Sequence, residues 1–185
     1  MFHNYQSFKN NSFLYQELLD AKKEGIINKA GISLYTNEEI EDIITNYKNF
    51  DYIQFPFNLL DNELKRRNII EKANNKGTKV HVRSTFLQGL FFKDLNTLEN
   101  KLLPLKPYLI AIEQLKNKYK IKTETLALQY VLQKKYIDKV LIGVDSVIQL
   151  QQNIGICSKS IEIPSGIIDK IDVKENKLLN PANWN

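Results

Sequence analysis

Three amide side chains, Gln149, Gln152 and Asn153, stand at i, i+3 and i+4, the spacing that puts them on one face of a helix. Ser146 precedes Gln149 by three residues, so a capping box predicts that the helix starts there. Just before it, Val140, Leu141 and Ile142 form a short apolar run, as expected of a strand buried on both faces. Gly143 follows and permits a tight turn. A helix start just beyond the C-terminal end of a strand offers unpaired N–H groups to an anion. With amides along the same helix, the chemistry that fits is a nucleotide, its phosphate at the helix dipole and its adenosine along the amides. An ordinary strand–turn–helix with a solvated polar face has the same pattern, and the spacing fits both equally.

The chain around this stretch has ordinary globular composition: 185 residues, 43% hydrophobic and 25% charged, enough for one real core. No apolar run approaches the roughly 20 residues of a bilayer span. The start, MFHNYQSFKN, lacks the basic-then-apolar pattern of a signal peptide. Cys157 is the single cysteine, so no intrachain disulfide can form; a small buried side chain in a reducing compartment is expected, which places the protein in the cytoplasm. Net charge is +5. The basic clusters, Lys65-Arg66-Arg67 and Lys116, Lys118, Lys120, Lys122, fit no nucleic-acid motif and read as solvated helix faces, with neither nucleic acid nor membrane as partner.

Hydrophobic spacing and turn residues give the elements. Helices are predicted over Ser12–Glu24 with Ser12 as cap and Gly25 as stop, from the Thr36/Glu39 capping box to Asn46, and over Leu64–Asn75. Two more are predicted over Pro104–Tyr119, with Ile110, Ile112 and Leu115 on the apolar side, and Thr123–Lys134. Strands are expected at Ala30–Ser33, Phe50–Phe55 and Lys79–Arg83, then at Val140–Ile142, with a very short apolar start at Met1–Asn4. A long loop should run on from Arg83 through Gly89 to about Asn100, a short helix over Pro164–Ile171, and a loosely held tail over 174–185. Alternating β and α units of this size imply a parallel sheet. Neither G-x-G-x-x-G nor G-x-x-x-x-G-K-[ST] occurs, so the Rossmann fingerprint and the P-loop are absent.

The segments EGIINKAGIS, FDYIQFPFN, VHVRSTFLQGLF and LIGVDSVIQLQQN resemble, in order, four motifs of the aldo-keto reductase superfamily: GkirxiGvS, Q-x-x-y-N, S-x-L-x-x-G and G-x-x-x-x-x-Q-L-x-x-N. The resemblance covers nearly the whole chain and implies an α/β fold, a partial (β/α)8 TIM barrel with parallel strands. Its strands match the fourth to the eighth, the fourth cut short. The first three units have no counterpart, and a whole barrel needs about 250 residues. Residues 1–185 are thus expected to form one incomplete, truncated barrel domain.

The family reduces aldehydes and ketones with a nicotinamide dinucleotide, usually NADP(H), and uses no metal. Of its catalytic Asp, Tyr, Lys and His, only the histidine has a counterpart, His3, which would donate a hydrogen bond to the developing oxyanion. Ser33 and Gln54 match the pair that holds the nicotinamide carboxamide, although Leu34 replaces the asparagine often found after that serine. Arg83 stands where many relatives stack an aromatic on the nicotinamide. Ser84, Leu87 and Gly89 match the pyrophosphate loop. Gly143, Val144, Gln149, Gln152 and Asn153 match the site for the adenosine 2′-phosphate and adenine. Asp145 in that turn leaves NAD(H) as the alternative, because a carboxylate repels a 2′-phosphate. His81, alternating with Val80 and Val82, reads as a satisfied core histidine.

The resemblance therefore implies an NAD(P)H-dependent oxidoreductase acting on a small-molecule carbonyl, inactive as this chain alone for want of Asp, Tyr and Lys. The alternative is a non-catalytic dinucleotide-binding or interaction module. Open barrel edges predict self-association.

Overall fold

The computed structural model describes residues 1–184; Asn185, the end of the predicted tail, lies outside the described residues. The chain forms two compact units, one of Met1–Pro56, Arg67–Arg83 and Tyr136–Lys139, the other of Phe57–Arg66, Ser84–Lys135 and the residues from Val140 onward.

The first unit is built on parallel strands, β1 (Gly31–Ser33), β2 (Tyr52–Pro56) and β3 (Lys79–Arg83). They stand in chain order, followed by β4 (Lys139–Val140). Phe2 adds a one-residue stave before β1. It pairs parallel with Ile32, its N–H donating to Gly31 O at 2.9 Å and its carbonyl accepting from the Ser33 N–H at 3.0 Å. Neighbouring strands are thus successive in sequence, as barrel staves are, with a helix in each crossover. Between β1 and β2 runs α3 (Asn37–Asn46), opened by the complete Thr36/Glu39 capping box that the sequence predicts. Between β2 and β3 lies α4 (Glu63–Asn75), followed by Gly77 at φ +79°.

Alternation along the strands sets the two faces. Ile32, Ile53, Phe55, Val80 and Val82 are fully buried. Ile40, Ile43 and Ile44 of α3, and Ile69, Ile70 and Ala73 of α4, join them in the core. The intervening residues Ser33, Gln54, His81 and Arg83 are polar and take the other face.

Two helices precede β1, where the sequence predicts one. The first, α1 (Tyr5–Asn10), is capped by Asn4, whose side chain accepts the Ser7 N–H at 2.7 Å. Its only buried residue is Phe8, so it carries almost no apolar period. The second, α2 (Leu14–Lys23), starts without a side-chain cap, so Ser12 is not the cap the spacing suggests. Gly25 ends that segment at φ +76°, as predicted. Phe8 meets Phe2, Tyr47 and Phe50 with ring centroids 4.9, 4.8 and 5.6 Å apart, which anchors the N-terminal residues.

Asp51 ties α2 to the start of β1. Its carboxylate accepts from Lys22 Nζ at 2.6 and 2.7 Å and from the Ala30 N–H at 2.7 Å. Burial pushes its pKa up, but the bonds from Lys22 and Ala30 outweigh that and hold it below the ordinary carboxylate range. A carboxyl depressed in the folded state contributes stability that is present above its unfolded value, about 3.9, and lost as pH falls through the lower folded value. Acid titration of the wild type should therefore show a loss of stability below about pH 4 that Asp51→Asn reduces. An unchanged acid limb in the variant would remove this role.

The second unit is helical. It begins with a buried loop in which Asn58 accepts the N–H groups of Leu60 and Asp61 at 2.9 and 3.0 Å. Its side-chain N–H donates to Ser84 O at 3.2 Å. Asp61 pairs with Arg66 through Nε at 2.7 Å and Nη2 at 2.8 Å, both side chains nearly inaccessible. Asn62 donates to Ile168 O and Ile171 O at 2.8 and 2.9 Å. Those carbonyls lie in and just after α8 (Ser165–Ile168). Nearby, Lys134 is ion-paired to Glu63 and, at 2.9 Å, to Asp169, which also accepts the Tyr130 hydroxyl at 2.6 Å.

Two helices of this unit, α5 (Lys106–Tyr119) and α6 (Thr123–Leu132), follow the long connection after β3, which holds 3-10 turns at Leu87–Phe92 and Asn100–Leu105 with irregular chain between them, where the sequence predicts a loop. In α5 the buried residues are Leu109, Ile112 and Leu115. Ile110, expected on that side, is exposed, because it points a full residue step (about 100°) away from Leu109. Helix α6 is buried through Leu126–Val131. The last long helix, α7 (Val147–Cys157), begins at Ser146 as predicted. The strand before it does not: β4 stops at Val140, and Leu141 is exposed rather than buried on both faces. Cys157 is exposed too, since Asn153 and Ile156 are the residues α7 turns inward. From Lys174 the chain forms two short 3-10 turns, with Leu179 and Trp184 buried and the Trp184 indole N–H on Leu178 O at 2.9 Å. Among the described residues no helix is long and apolar enough to cross a membrane.

Candidate functional site

Each unit carries part of the predicted set. In the first, register aligns Ser33 with Gln54 and Gln54 with His81. The Phe2–Ile32 bridge puts His3 one step further, at the level of Ser33. Side chains level with one another on parallel strands share a face, so Ser33, Gln54 and His81 form one polar row. Ser33 and Gln54 are buried, and His3 is exposed. His81 stacks on Tyr52 at 4.6 Å. Its pKa is lowered by burial, with the nearby Lys139 ammonium adding to the effect. Gly31 is required beside this ring: a Cβ there would lie 2.4 Å from Tyr52. Arg83 spends its guanidinium inside the unit. It lies over the Tyr35 ring at 4.2 Å and donates to Leu34 O at 3.1 Å and Ser33 Oγ at 3.4 Å.

The second unit holds a cavity of about 730 Å³ lined by the loop after β3, the start of α6, and the turn and amide face of α7. Ser84, Gly89, Gly143, Gln149, Gln152 and Asn153 all line it. Leu87 and Val144 do not: Leu87 is fully buried in the core and Val144 is exposed. The loop that forms one wall is wound tightly. Ser84, Leu87 and Gln88 adopt positive φ of 61°, 45° and 48°, and Gly89 of 80°, a strained run of the kind that clusters at binding sites. Asn58 holds its first carbonyl. The other wall is fixed by Gln129, buried in α6, which donates to Ile156 O at 2.7 Å and Lys159 O at 2.6 Å and so satisfies carbonyls at the C-terminal end of α7.

The start of α7 is partly self-satisfied. Ser146 Oγ accepts the Gln149 N–H at 3.2 Å, and Gln149 Oε1 accepts the Asp145 N–H at 2.8 Å. Thr85, by contrast, lines the cavity with its side-chain hydroxyl buried and without a hydrogen-bond partner. Leaving a buried hydroxyl unpaired costs stability, which sets this position of the loop apart from its surroundings. Polar loop, unpartnered hydroxyl and amide face together suit the diphosphate and adenosine of a dinucleotide.

Thr85, Phe86, Gln88, Phe92 and Glu124 also line the cavity, and sequence reasoning missed them. For Phe86 a signal existed: counted from Ser84, the pattern S-x-L-x-x-G reaches its third position at Phe86, not Leu87. Glu124, in the first turn of α6, has no local signature.

The model of the aldo/keto reductase family matches residues 9–175. The chain belongs to the aldo-keto reductase family. Solved structures agree on the fold. The aldo-keto reductase AKR11C1 from Bacillus halodurans, holo form, superposes with a TM-score of 0.67 at 23% identity, over 84% of this chain and 55% of that one. Its apo form gives 0.68 at 23% identity, over 84% and 56%. The thermostable aldo-keto reductase Tm1743, in complex with the inhibitor epalrestat, gives 0.61 at 15%, over 85% and 53%. No curated protein sequence matches the chain. This aldo-keto reductase chain thus spans little more than half the length of those structures, and its α/β fold is part of their (β/α)8 barrel.

Proposed function

We propose that this chain binds a nicotinamide dinucleotide and serves carbonyl reduction. The observation that carries the reading is the cavity of the second unit, which six of the residues matched to the cofactor site line together with Thr85. Ser84, Thr85 and the backbone at Gly89 take the diphosphate; Gly143, Gln149, Gln152 and Asn153 take the adenosine. The first unit, taken by itself, presents Ser33 and Gln54 on neighbouring strands, a hydroxyl and an amide that have the donors and acceptor to hold a carboxamide. His3, level with them, orients a carbonyl oxygen by a hydrogen bond. The bound dinucleotide supplies the hydride.

Reduction also needs a proton for the carbonyl oxygen, and the family's tyrosine, lysine and aspartate have no counterpart at matching positions of this chain. Alone, it is therefore a binding module for the cofactor. Reduced dinucleotide fluorescence, with aldehydes and ketones added in parallel, tests this. Saturable binding without oxidation of the cofactor is expected. Turnover by the purified chain would refute the expected inactivity, and no binding at millimolar dinucleotide would refute the cradle.

A further inference from the structure

We infer that the adenosine end of this site is built for a free 2′-hydroxyl, that is, for NAD(H), and that Asp145 is the residue that selects it. The inference rests on the dinucleotide reading above and departs from the family's usual NADP(H).

The charges in the cavity carry it. Two acidic side chains, Asp145 and Glu124, line it, and none of the described lining residues is basic. A 2′-phosphate would bring about two negative charges beside these carboxylates with no cation to offset them. A ribose hydroxyl instead donates a hydrogen bond to a carboxylate, the same chemistry by which an acidic residue selects NAD in other nucleotide sites. Helix α7 can make up for the missing cation only in part, through the N–H groups of Val147 and Ile148, which its cap leaves open. Of the N–H groups at its start, that of Asp145 is held by Gln149 Oε1 at 2.8 Å and that of Gln149 by Ser146 Oγ at 3.2 Å. The Gln149 bond also fixes the backbone that carries the Asp145 carboxylate. Asp145 is exposed, so solvent screens its field, and the discrimination should be about tenfold.

The test compares 5′-AMP with adenosine 2′,5′-bisphosphate, which differ only in the 2′-phosphate, and NADH with NADPH, by calorimetry on the purified chain. The expected result is that 5′-AMP and NADH bind about tenfold tighter than their 2′-phosphorylated partners. Asp145→Asn should bring each ratio towards one, and Asp145→Lys should reverse it. The readout is a ratio within one sample, so a variant that folds incompletely still reports it. Equal or tighter binding of the 2′-phosphorylated ligands by the wild type would overturn the inference while leaving the dinucleotide reading intact. A ratio indifferent to both substitutions would remove Asp145 as the selector. If none of the four ligands binds, the dinucleotide reading fails and this one with it.

Discussion

Asp61→Ala should lower folding stability by about 3–5 kcal/mol, read as a shift in the urea midpoint at constant slope. The pair it breaks is inaccessible on both sides: Asp61 receives Arg66 Nε at 2.7 Å and Nη2 at 2.8 Å. Removing the carboxylate strands a guanidinium away from water, and that stranded charge is the larger part of the penalty. Asp61→Asn keeps the shape and one acceptor oxygen but loses the charge, so it should fall between wild type and alanine. The double change Asp61→Leu with Arg66→Met leaves no charge behind and should recover much of the loss. A loss below about 1 kcal/mol for the alanine variant, the range of exposed pairs, would show that the pair is solvated in solution.

The second large effect belongs to Asn58, which is fully buried. Its side chain makes three hydrogen bonds, two as acceptor from Leu60 and Asp61 and one as donor to Ser84 O. Asn58→Ala leaves the N–H groups of Leu60 and Asp61 without their acceptor, takes one of two donors from Ser84 O, which keeps the Leu87 N–H at 2.9 Å, and opens a small void, for an expected destabilisation of about 2–4 kcal/mol. Asn58→Asp separates the roles: it retains the acceptor for the two N–H groups but has nothing to donate to Ser84. Ser84 starts the left-handed run that walls the cavity. The aspartate variant should thus lose dinucleotide affinity beyond what its stability explains, by about tenfold. Unchanged affinity in a folded Asn58→Asp protein would show that the loop holds its shape without this bond.

What the sequence made legible follows from the range of the forces involved. The Thr36/Glu39 box and the amide face of Gln149, Gln152 and Asn153 depend on residues three or four apart, and both stand as read. Lys79–Arg83, apolar on alternate residues, is found at its predicted limits. Where the outcome depends on distant partners, the reading fails. Helix α1 has one buried residue and is held by rings from Tyr47 and Phe50, so no period announces it. Val140, Leu141 and Ile142 are apolar enough for a buried strand, yet only Val140 joins β4. Glu124 reaches the cavity because α6 packs where it does, which no local spacing encodes. Leu87 turns into the core and Phe86 to the cavity where Leu87 takes a positive φ that its residue type does not favour.

Asn62, Tyr130 and Lys134 all fasten onto the segment between Ile168 and Ile171. That makes a stretch near the C-terminus an internal component of its unit. A protease that nicks the chain ahead of α8 would not trim a dispensable end; it would extract the partners of an interior ammonium and an interior amide together. Digestion should accordingly yield either intact protein or small peptides, with no long-lived core that ends before residue 165.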